Sequence, residues 1–160
     1  MSDAEFNMHL KFFDSFIFCG QISDPILHPK LKEFLSKVHI AEKLCTVHVS
    51  ASHKPEKYYI ECFKANPNAK WFFGIDGLPK DSHRYRVRQD GEKLFNIMLE
   101  SRKYLTLPPV WQYIIFSYNE NDIEEAKALC QKHDIKLVLI KSNRWIDNDP
   151  LKPSSKEHYA

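Results

Sequence analysis

Phe16-Ile17-Phe18-Cys19-Gly20-Gln21-Ile22-Ser23-Asp24-Pro25-Ile26-Leu27-His28-Pro29 runs from an apolar strand through a polar turn into a helix, with one carboxylate, Asp24, in the turn. An acid there stands at the carboxyl end of a buried strand. Parallel α/β proteins place ligands at such ends, because the turn carries backbone polar groups that no sheet ladder satisfies. Apolar runs recur at 44–49, 71–75, 110–116 and 135–140, so five strands are predicted, the first at 16–19. Their nearly continuous apolar character points to a parallel sheet covered on both faces, or on one face and a barrel interior. Helical spacing links Leu31, Phe34, Leu35 and Val38 after Pro29, then Tyr59, Cys62 and Phe63 after Pro55, then Leu94, Ile97, Met98 and Ser101. A last helix carries Ile123, Ala126 and Cys130 behind the capping-box-like pair Asp122 and Glu125, and an opening helix precedes Phe13. Right-handed crossovers in this order put the helices on one side of a curled sheet or on both sides of a flat one.

Composition narrows the function classes. A chain of 160 residues, 43% hydrophobic and 28% charged, fits one domain with a single core. That domain is expected over residues 1–145, with 146–160, which holds Pro150 and Pro153 and no periodicity, as a polar tail or linker. The formal net charge of +2, with acids and bases interspersed, gives no nucleic-acid footprint and no membrane-surface patch. No apolar run approaches a membrane span, and the four cysteines are isolated in apolar or helical contexts. Reduced thiols and a cytoplasmic location are expected. With four glycines, and neither Gly-x-Gly-x-x-Gly nor Gly-x4-Gly-Lys, the usual dinucleotide and P-loop cradles are missing.

Four segments between about 13 and 145 resemble radical S-adenosylmethionine enzymes. Ser23-Asp24-Pro25-Ile26-Leu27-His28-Pro29 is similar to the Gly-Gly-Glu-Pro or Gly-Asp-Pro turn, followed by Leu-His-Pro, that holds the amino group of the cofactor, with Ser23 replacing a glycine. Phe73-Gly74-Ile75-Asp76-Gly77-Leu78 is similar to the Ser-Ile-Asp-Gly sequence closing the family's fourth strand. Tyr85-Arg86 with Leu94-Phe95-Asn96-Ile97, and 111–119 with Ile123-Glu124-Glu125-Ala126, resemble one subgroup. The resemblance implies an α/β fold, a partial (β/α) barrel of about five mostly parallel strands with outer helices that lacks the family's first strand. It also implies S-adenosylmethionine binding through Ser23, Asp24, Ser50, Asp76, Arg86 and Asn119. Asp24 and Arg86 would meet the ammonium and carboxylate of the methionine portion. Ser50 stands where the family has Thr-Asn-Gly, here Ser50-Ala51-Ser52. Asn119, at the carboxyl end of its strand, is preferred to Gln112 at the other.

The Cys-x3-Cys-x2-Cys loop that binds the family's iron–sulfur cluster does not occur in the sequence, and Cys19, Cys45, Cys62 and Cys130 are too widely spaced to replace it. No iron–sulfur cluster is therefore expected in this chain alone, and cleavage to a 5′-deoxyadenosyl radical is not assigned to it. The expected partner is an upstream cysteine-bearing fragment, or a second copy joined through the open edge at 16–19. The competing reading is a non-catalytic ligand- or partner-binding α/β module. Under it Asp24 caps a helix, Asp76-Gly77 is a turn, and Arg84, Arg86 and Arg88 lie along one face of an extended, solvated segment. His28, His48, His53 and His83 match no compact metal motif.

Overall fold

The Ser2 hydroxyl accepts from the Glu5 amide, and the Glu5 carboxylate accepts from the Ser2 amide, a reciprocal cap that starts α1 (Asp3–Phe12). The chain continues through β1 (Ser15–Phe18), α2 (Leu31–Ile40), β2 (Leu44–Val49), α3 (Glu56–Ala65), β3 (Lys70–Gly74), α4 (Gly91–Ser101), β4 (Val110–Ile114), α5 (Ile123–His133) and β5 (Lys136–Ile140). Short 3₁₀ turns occupy Pro25–Leu27, Ser82–Arg84 and Lys156–His158. This is a computed structural model, and it describes residues 1–20, 23–146 and 148–159.

The five strands form one all-parallel sheet in sequential order, β1-β2-β3-β4-β5. Each right-handed crossover moves one place in the same direction, so the helices collect on one side. Side-chain alternation agrees. Cys45, Val47 and Val49 of β2 are buried, whereas Leu44 is 73% exposed and Thr46 and His48 are half-buried. Ile17 of β1 shares the uncovered face and is 63% exposed. The sheet is open and not closed into a barrel, which leaves β1 and β5 as its edges.

Beneath the helices, Phe63 meets Trp71 edge-on at 4.8 Å, Phe95 meets Trp111 at 5.2 Å, and Phe6 of α1 stacks on Phe34 of α2 at 4.1 Å. Each buried aromatic removes on the order of 150–250 Å² from water, so this layer carries the hydrophobic stabilisation. Three local expectations differ. The helix after Pro29 begins at Leu31, because Pro29 and Lys30 form a turn first. Asp122 makes no side-chain capping bond to α5. β3 and β4 end at Gly74 and Ile114, short of Ile75 and Phe116, because the chain turns there to build the carboxyl rim.

The polar segment after β5 is tied back to that rim. Ser117 donates through its amide to Leu151 O (2.9 Å) and through its hydroxyl to Pro150 O (2.6 Å), and Ser142 bridges Tyr159. Among the described residues no helix is long and apolar enough to cross a membrane.

Candidate functional site

Period-two alternation sends Cys19, His48, Gly74 and Gln112 to the uncovered face, at or near the carboxyl ends of β1, β2, β3 and β4. There they line a cavity of about 320 Å³ with Gly20, Asp24, Pro25, Ser50 and Arg86. A second cavity of about 340 Å³ shares Asp24, Ser50 and Arg86 and adds His53, Tyr85, Val87 and Gln89. The two form a groove along the strand ends, with Asp24, Ser50 and Arg86 as the common wall.

Asp24 is a brace. Its Oδ1 accepts from the Ile26 amide (2.9 Å), capping the 3₁₀ turn, and its Oδ2 accepts from the amides of Ser50 (2.5 Å) and Ala51 (2.8 Å). One carboxylate thus pins the loop after β1 to the end of β2, satisfying three amides that the ladder leaves unpaired. Gln89 does the same for the next pair of strands, donating through Nε2 to Ser50 O (2.5 Å) and Gly74 O (2.8 Å). Ser82 donates its hydroxyl to Gln89 and accepts from the Asp76 amide (3.0 Å).

Asp76, fully buried, closes this network. Its Oδ1 accepts from the Ile114 amide (2.8 Å), while Oδ2 faces Arg86 Nε at 2.7 Å, an ion contact not aligned as a hydrogen bond. Burial pushes the Asp76 carboxyl above its ordinary value, opposed by Arg86 and the Ile114 amide. A glycine at 74 makes the approach feasible. A Cβ there would sit 2.5 Å from Ser50 Oγ and 2.9 Å from Arg86 Nη2. Arg86 Nη1 and Nη2 hold no hydrogen bond to the described residues, and the side chain, 24% exposed, lines both cavities. It is a guanidinium fixed at its inner edge and open at its outer one.

On the open face His48 stacks on Phe72 at 4.5 Å, and its Nδ1 lies 3.2 Å from Gln112 Oε1. The remaining candidates separate. Asn119, 0% exposed, accepts at Oδ1 from the Phe116 amide (2.7 Å) and donates from Nδ2 to Ile114 O (3.1 Å), so its amide staples the turn after β4. Ser23 is exposed beside the groove, on the rim of a neighbouring apolar trough that includes Asp24. The arginine segment is not extended. Ser82–Arg84 is a 3₁₀ turn and Arg88 is left-handed, which sends Arg84 over the Tyr118 ring and Arg86 to Asp76.

Cys45 and Cys62, buried on β2 and α3, have thiols pushed up to about 12 by burial, and Cys130 on α5 is pushed up to about 11. Cys19 alone is exposed, at the groove. Among the described residues no three His, Cys, Asp or Glu side chains converge as a metal site. The sequence reading missed Gln89 and Ser82, and it passed over His48 and Gln112, setting Gln112 behind Asn119, although both line the groove and Asn119 does not. Strand parity could have placed His48 and Gln112 opposite the buried Val47, Val49, Trp111 and Tyr113. Nothing local marks Gln89, which acts through loop geometry.

No protein-family model, curated protein or solved structure matches this chain.

Proposed function

We propose that this chain is the S-adenosylmethionine-binding part of a radical S-adenosylmethionine-type barrel, built on a partial (β/α) barrel and lacking its own cluster ligands. The observation carrying this reading is Arg86, held across Gly74 by buried Asp76 with its outer nitrogens toward the groove. A methionine carboxylate fits that open fork, and Ser50, on the same wall, suits a ribose hydroxyl. Asp24 fits the ammonium less fully, since three amides already occupy its oxygens. The buried thiols of Cys45, Cys62 and Cys130 lie on separate elements and do not fit an iron–sulfur cluster together with Cys19. Such a cluster supplies the electron that cleaves S-adenosylmethionine, and in this reading its thiolates come from a cysteine-bearing partner.

Titration calorimetry of the full chain with S-adenosylmethionine tests the proposal. Binding is expected in the micromolar to millimolar range, weakened at least about tenfold by Arg86→Gln, the worth of one charge-assisted contact, and weakened also by Asp24→Ala through the lost brace. Absence of binding, or binding indifferent to Arg86→Gln, sinks it. The saturation of Asp24 and the internal use of the Asn119 amide favour a second reading, a non-catalytic module whose groove takes a different small ligand. Under that reading Arg86 still matters, and S-adenosylmethionine does not bind.

A further inference from the structure

The amino end of the sheet, opposite the groove, carries a larger cavity. About 750 Å³ opens where α2 and α3 end and β2 and β3 begin, with Ile40, Leu44, Asn66, Lys70 and Leu107 among the residues that line it. That volume suits a small organic molecule. The loops that shape it are fixed. Leu44 donates its amide to Asp14 O (3.0 Å), and Thr106, beside Leu107, donates through its amide (2.9 Å) and its hydroxyl (3.1 Å) to Pro67 O. Ile40, Leu44 and Leu107 are large apolar side chains left exposed, so the wall is apolar and open to water.

Asn66 is the exception on this wall. It is 1% exposed, and neither Oδ1 nor Nδ2 has a hydrogen-bond partner among the described residues. Its main chain is satisfied. The backbone amide donates to Cys62 O (3.3 Å) as α3 closes, and the carbonyl accepts from the Ala69 amide (3.2 Å). The side chain therefore has no part in ending the helix or holding the turn. Asn119 gives the contrast, since it is equally buried and uses both ends of its amide to staple its own turn. Buried amides are normally paired, because an unpaired one loses the hydrogen bonds it made to water and regains none. At Asn66 an acceptor and a donor stand side by side, unpaired, on a cavity large enough to admit their partner.

We propose that this amino-end cavity binds a nucleoside, with the edge of the base paired to the Asn66 amide. A side-chain amide presents an acceptor beside a donor, so its complement is a planar group with an adjacent donor and acceptor. An adenine edge has that pattern, and the N3–H and carbonyl of uracil repeat it. A carboxylate or phosphate, carrying acceptors alone, leaves Oδ1 unpaired. The apolar wall suits the ring faces of a base, whose polar atoms lie in its plane. Charge at the rim is close to balanced, with Lys43 paired to Asp14 and with Glu42 and Lys70 of opposite sign, which fits a neutral ligand. The site shares no residue with the groove, and the inference does not rest on S-adenosylmethionine binding there.

Titration of the full chain with adenosine and uridine tests it. At least one is expected to bind in the micromolar to millimolar range, and at least about tenfold more tightly than its counterpart without the edge donor, purine riboside or 3-methyluridine. Asn66→Leu should weaken binding at least about tenfold while the urea midpoint holds or rises, because an apolar side chain of similar size needs no partner. Ile40→Glu, at an exposed position on the wall, should also weaken binding, and it decides the matter if Asn66→Leu does not fold. Binding of neither nucleoside overturns the proposal, as does binding unchanged in both variants. Equal binding of the counterparts without the donor overturns the assignment to the base edge. Adenosine binding lost in Arg86→Gln and kept in Asn66→Leu puts the nucleoside in the groove and overturns the proposal as well. S-adenosylmethionine binding that is indifferent to Arg86→Gln yet lost in Asn66→Leu supports this inference and rejects the earlier reading.

Discussion

The groove floor and the clamp on the carboxyl-terminal segment each hold one carboxylate away from water, with opposite consequences. Asp76 is 0% exposed and has one amide and one guanidinium as partners. Burial, its largest influence, wins, and the carboxyl is raised. The Glu120 side chain is 8% exposed, but its oxygens accept from the Ser154 amide (3.0 Å) and the Ser155 amide (3.1 Å), with His158 Nδ1 at 3.2 Å. Burial again exerts the largest single influence, yet these donors together outweigh it and the carboxyl is lowered. The number of donors per carboxylate, set against depth, decides the sign. The clamp is an anion satisfied by its own chain. The floor is an anion kept in place by a cation that still has donors to offer, the condition expected where a ligand must bind.

Removing Asp76 should break this contrast most violently. Asp76→Ala strands the Ile114 amide and leaves Arg86 unpaired in a confined position, so a loss of about 3–5 kcal/mol is expected, as for other broken buried pairs. Equilibrium urea unfolding measures it. A loss below about 1 kcal/mol would mean that Arg86 swings freely into water, and the floor would then be no more constrained than a surface pair.

The parts legible in the sequence were those governed by periodicity. Leu31, Phe34, Leu35 and Val38, and likewise Leu94, Ile97, Met98 and Ser101, are the buried faces that their spacing predicted. The parallel strands followed from apolar runs, and Asp24, Ser50, Asp76 and Arg86 do meet at the carboxyl rim. Turn chemistry was illegible because it depends on which backbone groups the sheet leaves over. Asn119 read as a ligand contact, since a strand-end amide looks the same whether it faces a groove or closes its own turn. Gly77, at φ 104°, brings the chain within contact of Tyr118 and Asn119, a fold-back that no spacing rule reveals. The segment after β5 read as a tail because its anchors, Glu120 and Ser117, lie about 35 residues upstream and no repeat connects them.

A smaller effect sharpens the other side of the comparison. Glu120→Gln retains an acceptor for one of the two amides but loses the charge-assisted bonds, for a cost of about 1–2 kcal/mol. The change should be local. Limited proteolysis is expected to cut the 142–159 segment faster while the sheet stays resistant. Uniform destabilisation of the whole chain, with no gain in local cleavage, would show instead that the clamp and the sheet unfold as one unit.

The smallest expected effect is in pH dependence, and it tests the sign itself. The Asp76 carboxyl is raised in the folded chain from an ordinary 3.8, so the native state holds its proton longer than the unfolded state does. Its contribution is fully present below the unfolded value and is lost as pH rises through the folded one. The Glu120 carboxyl is lowered from an ordinary 4.5, so its contribution is present above that value and is lost as pH falls through the folded one. Unfolding free energies of wild type, Asp76→Asn and Glu120→Gln, measured between about pH 3 and 6, isolate each term, because the other carboxylates cancel in the differences. The advantage of wild type over Asp76→Asn should shrink as pH rises, and its advantage over Glu120→Gln should grow. Two slopes of the same sign would mean that Arg86 and the Ile114 amide outweigh burial at Asp76. The floor would then be a second self-satisfied clamp, with its guanidinium committed inward and little left for a ligand.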